Sequence, residues 1–182
     1  MRRRRRLHTE TTRGLRPSRN PAWVEGVEDL PSVIDRLRLQ PLPREGGWFR
    51  QYYLSPEQDA RGRARASAIH FLMSPEGFSA LHRLKTAETW TFREGAPIEL
   101  LVLRPDGTGS VVRLGPDSAA GQELSVTVAG GSWQGARPLG AWSLADCAMA
   151  PAWDESEFEL GRRDELTRLH PAWAELIRAL TR

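Results

Sequence analysis

From Trp48 to Met149 the chain is cut into WFRQYYL, RASAIHFLM, FSALHRL, ETWTFRE, IELLVLR, GSVVRL, ELSVTVA and AWSLADCAM, each six to nine residues long. Between them stand SPEG, EGAP, RPDGTG, GPDSAAG and RPLG, rich in residues that take positive φ or the proline value near −65°. Pieces this short read as strands, and turn signals about every 8–12 residues predict an all-β sandwich or barrel. Only the flanks have helical spacing. Val27, Leu30, Val33, Ile34 and Leu37 recur every three or four residues and predict one N-terminal amphipathic helix ending before Pro41. Past Gly161, GRRDELTRL, a Pro171 suited to a first helical position, and AWAELIRAL predict two short C-terminal helices, the last with Trp173, Leu176, Ile177 and Leu180 on one face.

At 182 residues, 40% of them hydrophobic, the chain suffices for one buried core. No apolar run approaches the ~20 residues of a membrane span, so a transmembrane protein is not expected. Cys147 is the one cysteine, which excludes an internal disulfide and a thiolate zinc cluster and points to a reducing cytoplasm. The net charge of +3 hides an asymmetry: residues 1–20 hold eight arginines against Glu10, a net of +7, leaving −4 for the rest. Residues 1–22 are therefore expected to be a disordered Arg-rich arm, and residues 23–182 the folded domain. The arm reads as a solvated segment or a mis-assigned start, a weak polyanion-binding arm, or a targeting peptide; no apolar stretch follows its charges as in a secretory signal. Because the domain is mildly acidic, nucleic acid is not the expected partner.

Four histidines are present, and His8 and His170 fall in the arm and among the terminal helices. His82 and Glu88 are six apart around a corner at Lys85, Thr86 and Ala87, so both can project into the same interior. Gly131, Ser132, Trp133 and Gln134 read as a second tight turn feeding a strand. A histidine titrates in the useful range, and a carboxylate across a pocket raises its pKa and fixes its tautomer, which makes His82 a candidate general base. Arg50 can hold an anionic or enolate oxygen. The competing reading is a buried ion pair of Glu88 with His82 or Arg50 in an inert barrel. Trp48, Trp90, Trp133 and Phe92 read either as an apolar pocket wall for an aromatic or polyketide-like ligand or as core. His70, between Ile69 and Phe71 on one strand, reads either as a ligand contact or as a satisfied core or interface histidine. Cys147 reads as core filler. Glu45, Gly46 and Gly47 read as a tight turn with no catalytic duty, and residues 104–109 as a hairpin turn that cannot cradle phosphate, since no helix follows.

The run GFSALHRLKTAETWTFREG (residues 77–95), followed by GSWQ (131–134), resembles the two motifs of the cupin superfamily. PLPREGGWFRQYY, SAIHFL, SWQGARPLG and APAWDESEFELGRRDEL further resemble the cupin subgroup of unknown function described as similar to sugar-nucleotide epimerases of the rhamnose pathway. The likeness spans about residues 33–182. It implies an antiparallel jelly-roll barrel over about residues 46–150, C-terminal helices over about 161–181, a closed pocket for a small molecule, and a homodimer. The metal-ligand positions of metal-binding cupins fall on His82, Leu84, Glu88 and Gln134. Leu84 cannot ligate and Gln134 is a poor ligand, so no metal and no cofactor are expected. Thr91 stands where relatives often have a further histidine, and His70 where they usually have an aromatic residue. The epimerases in question use a histidine base, a carboxylate that orients it and a tyrosine acid, which implies His82, Glu88 and Tyr53 here, with Tyr52 the alternative to Tyr53. Arg50, Gln134, His70, Trp90 and Trp133 are the expected ligand contacts. The expected function is metal-independent isomerisation, epimerisation or cyclisation of a carbonyl-containing sugar or secondary metabolite; the alternative is a non-catalytic small-molecule binder.

Overall fold

The computed structural model describes residues 28–182, so the expected Arg-rich arm and the start of the N-terminal stripe at Val27 lie outside the described residues. Helix α1 (Leu30–Leu37) begins where Asp29 accepts a hydrogen bond from the Ser32 backbone N–H at 2.9 Å, and it ends at Arg38, whose φ of 52° is left-handed. Eleven strands follow: β1 (Gln40–Pro41), β2 (Trp48–Leu54), β3 (Ser67–Met73), β4 (Ser79–Arg83), β5 (Glu88–Gly95), β6 (Ile98–Leu103), β7 (Gly109–Leu114), β8 (Ser125–Val128), β9 (Trp133–Pro138), β10 (Ser143–Met149) and β11 (Glu159–Leu160). Helices α2 (Arg163–Leu169) and α3 (Ala174–Ala179) close the chain, joined through a single 3₁₀ turn that starts at Pro171.

All eight pieces marked out by the turn grammar are strands, and the chain returning from the Gly131 turn is β9. They form two antiparallel sheets, ordered β1-β2-β3-β10-β5-β8 and β11-β4-β9-β6-β7, instead of one continuous cylinder. This is the antiparallel jelly-roll sandwich that the likeness implies. Period-two alternation sorts each strand: on β3, Ser67, Ile69 and Phe71 point between the sheets, while Leu72 points out. Between the sheets lies a core that includes Phe71, Met73, Trp90, Ile98, Leu100, Val102 and Leu114, with Phe71 edge-on to Trp90 at 5.7 Å.

The outer faces are covered separately. Helix α1 sets Val33 against Leu72, Trp142 and Leu144 on the first sheet. Helices α2 and α3 set Leu166, Ile177 and Leu180 against Leu81, Leu101 and Leu103 on the second. Each such side chain contributes about 1.5–3 kcal/mol on leaving water, which fixes the three helices to the sandwich and leaves one end of the intersheet space for a cavity. Among the described residues, no helix is long and apolar enough to cross a membrane.

Candidate active site

A cavity of about 300 Å³ opens at that end, between the loop carrying Leu42 to Glu45 and the segment carrying Trp153 to Phe158. Strand β4 delivers His82 to its floor and β5 delivers Glu88 and Trp90, while β9 brings Gln134 opposite His82 in register. All four residues are buried.

Their hydrogen bonds fix their protonation. The Trp90 indole can only donate, and it donates to Gln134 Oε1 at 3.1 Å, so the Gln134 amide nitrogen must face the other way. That nitrogen donates to Glu88 Oε2 and lies 3.1 Å from His82 Nε2. His82 Nε2 therefore accepts, and Nδ1 carries the proton it donates to the Ala80 carbonyl at 2.9 Å. The histidine is neutral and oriented from both sides. Its ring stacks on Phe158 with centroids 5.4 Å apart.

Glu88 has no cation in contact. Its Oε2 lies 4.0 Å from His82 Nε2, and Oε1 has no hydrogen-bond partner among the described residues. Burial drives its pKa up to about 7, and the charge of Glu45 pushes the same way, against the hydrogen bonding of Gln134 and the Trp90 N–H. A carboxyl that exchanges its proton near neutrality thus faces an apolar cavity.

The turn at residues 45–47 does more than its sequence implies. Glu45 lines the cavity, accepts a hydrogen bond from Ser79 Oγ at 2.7 Å and lies 3.8 Å from His82 Nδ1. Gly46 and Gly47 have φ of 106° and 72°, and a Cβ on Gly47 would stand 2.6 Å from the Leu72 carbonyl oxygen. The two glycines let the loop lie flat on the sandwich, which seats Glu45 beside the histidine. The expectation of a turn without a role in the site is corrected here.

Strand parity removes other expected members from the cavity. On β2, Phe49 and Gln51 line it, whereas Arg50 pairs with His70 and Tyr53 with Ala68 in the outward-facing series of β3. A register shift between Gln51 and Tyr53 leaves both tyrosines about half exposed, with Tyr52 stacked on His70 at 4.4 Å. Arg50, Tyr52, Tyr53 and His70 therefore stand across the sheet from His82 and Glu88. Trp133 lies on the outer face of the second sheet, under the Arg83 guanidinium at 4.6 Å and against the C-terminal helices. Trp48 packs with the α1 cluster and Phe92 against the intersheet core. Cys147 lines the cavity and its thiol is pushed well up by burial, which leaves it a poor nucleophile.

Residues 31–161 match the family described as Cupin superfamily (DUF985). The chain belongs to that family. This cupin is similar to a solved protein of Shewanella oneidensis at 28% identity, with a TM-score of 0.80 over 85% of this chain and 98% of that one. It is equally similar to a hypothetical protein from Leishmania major at 28% identity, TM-score 0.77, over 85% and 99%. A cupin 2 conserved barrel domain protein from Rhodopseudomonas palustris shares the fold at 18% identity, TM-score 0.53, over 79% and 86%. No curated protein matches the chain.

The residues of this cupin do not fit a divalent metal. Of the four positions that ligate in metal-binding cupins, Leu84 offers a hydrocarbon to the cavity wall, and Gln134 turns its amide nitrogen toward His82 and Glu88. Glu45 stands beside Nδ1 of His82 and Glu88 beside Nε2, so the two carboxylates flank different ring nitrogens and do not converge on one point. No group of three or more His, Cys, Asp or Glu side chains among the described residues is placed to hold an ion.

Proposed function

We propose that this cupin binds a small carbonyl-containing compound, a sugar or secondary metabolite, in the intersheet cavity and moves a proton on it without a metal. The observation that carries the reading is the buried Glu88 carboxyl, coupled through Gln134 to a neutral His82 and facing the cavity at a pKa of about 7. About half-ionised at neutral pH, Glu88 serves equally as acceptor and donor, as an isomerase working through an enol requires. His82, neutral with its Nε2 lone pair held by Gln134, helps fix the amide that binds Glu88, and proton transfer to the ligand falls to Glu88. No tyrosine lines the cavity. The tyrosine acid expected from the epimerase likeness has no counterpart in the cavity, which leaves the acid as well as the base to the carboxyl.

A second reading has its own observation: Gln134 and His82 satisfy each other, which suits a non-catalytic binder. Solvent exchange separates the two. The protein is incubated in deuterated buffer with small α-hydroxyketones such as hydroxyacetone, and with any small molecule that copurifies with it. Isomerisation predicts deuterium at the carbon next to the carbonyl, read by mass spectrometry. A ligand that binds and never exchanges identifies the binder.

A further inference from the structure

We propose that the cavity selects an organic cation, a compact protonated amine with an apolar body, over neutral and anionic molecules of the same shape. The inference rests on reading the cavity as a ligand site and is independent of turnover.

Charge is the first observation. The charged side chains lining the cavity are Glu45, Glu88, Glu155 and Arg44. Arg44 sits at the rim with its side chain half exposed, 3.7 Å from Glu155 and over the Phe158 ring at 4.9 Å, so its charge is already matched outside. Two carboxylates remain inside, and the hydrogen-bond chain from Trp90 through Gln134 holds His82 neutral between them. Ser79 and Gln134 give them only neutral donors. A buried carboxylate without a cation is costly, and an incoming ammonium supplies the missing charge.

The second observation is Glu88 itself. It is nine-tenths buried, and its Oε1 has no hydrogen-bond partner among the described residues, which leaves an acceptor in the wall of the cavity. The third is the wall: Phe49, Phe71, Trp90 and Trp153 line the same space, and ring faces attract cations. At about 300 Å³ the cavity lies at the small end of the usual range of ~300–1,000 Å³, so the ligand is compact. A nucleotide diphosphate is excluded on charge as well as size. The likeness to sugar-nucleotide epimerases therefore does not extend to their substrates.

Three isosteric probes test this on the full-length protein by calorimetry: 2-phenylethylammonium, 2-phenylethanol and phenylacetate. At pH 8 the ammonium is expected to bind roughly tenfold more tightly than the alcohol, the advantage of a charge-assisted hydrogen bond, and phenylacetate most weakly. Glu88→Gln and Glu45→Gln should each shrink the ratio of ammonium to alcohol affinity. Should either variant fail to fold, the wild type still decides. Its preference for ammonium must grow from pH 6 to pH 8 as Glu88 ionises, with Glu45 of the loop, His82 of β4, Gln134 of β9 and Cys147 of β10 as the groups around it. Equal binding of ammonium and alcohol, a preference for phenylacetate, or a preference flat with pH overturns the selection for cations while leaving the cavity a ligand site. Failure of all three probes to bind at millimolar concentration overturns both.

Discussion

Two histidines of this cupin stand beside carboxylates on opposite faces of the same sheet sandwich. On the outside, His70 Nδ1 lies 2.7 Å from Asp146 Oδ1, Arg93 reaches Asp146 Oδ2 at 3.2 Å, and Tyr52 covers the imidazole. On the inside, His82 touches no carboxylate: Glu45 and Glu88 stay 3.8 and 4.0 Å away, with Gln134 between His82 and Glu88. The outer pair looks more like a catalytic dyad, yet its carboxylate already has a guanidinium and it faces away from the cavity. The inner carboxylates have neither. Burial without a counter-charge lifts the pKa of the inner Glu88 carboxyl toward neutrality, whereas Asp146 stands in direct contact with a histidine and a guanidinium.

Removing the proton-carrying group from each face gives the largest contrast. Glu88→Gln keeps the size and the hydrogen bond to Gln134, and is expected to lower deuterium exchange into a bound α-hydroxyketone by about 10²–10⁴, the usual share of a general base. His70→Gln, across the sheet, should leave the rate within about twofold, a change of about 0.4 kcal/mol in the barrier. A large loss from His70→Gln with Glu88→Gln near the parental rate would reverse the two roles.

Stability against pH comes next. The folded protein holds the Glu88 proton up to about pH 7; an unfolded chain releases it near the ordinary glutamate value. The raised pKa thus favours the fold at acid pH, and that contribution is lost as pH rises from about 4.5 through 7. The size is on the order of 3 kcal/mol. Urea unfolding of the wild type should show this decline, Glu88→Gln should remove it, and His70→Gln should retain it. The loop that seats Glu45 gives a smaller effect. Gly47→Ala adds a Cβ 2.6 Å from a backbone oxygen at a φ of 72°, for a cost of about 2 kcal/mol and weaker ammonium binding. Gly107→Ala, at a φ of 88° with open space around it, should cost about 1 kcal/mol and leave binding unchanged.

The contrast between the faces also marks what the sequence could reveal. The strands were legible because SPEG, EGAP and RPDGTG leave no room for another element, and the meeting of His82, Glu88 and Gln134 followed from corner spacing and the cupin likeness. The rest of the site depends on parity. WFRQYYL carries aromatic side chains on both parities, and the register shift after Gln51 changes the phase within the strand, so no pattern told Arg50 and Tyr53 from Phe49 and Gln51. His70 alternates with Ile69 and Phe71 as a core residue would, and its Asp146 lies 76 residues away. Glu45 hid in turn grammar. Its one signal was the pair of glycines after an acidic residue, which marks a close approach of backbone to something, and the position of Ser79 and His82 told what only once the loop was folded.

The smallest effect tests whether the outer pair is as ordinary as its surroundings imply. His70 and Asp146 have side chains about one-seventh exposed, and Arg93, itself half exposed, remains to compensate Asp146 when the histidine is lost. Removing either partner therefore strands no bare charge, unlike the severe case of a fully buried pair. A double-mutant cycle with His70→Gln and Asp146→Asn should give a coupling of about 0.5–1 kcal/mol, because solvent and the guanidinium share the load. Added salt should weaken it, since the Asp146 charge it involves is in contact with water and is screened. The same cycle on Gln134→Leu and Glu88→Gln, where Gln134 is 2% exposed, should give a larger coupling that salt changes less. A salt-insensitive coupling above ~3 kcal/mol at His70–Asp146 would place that dyad among buried ionic units and erase the distinction between the two faces.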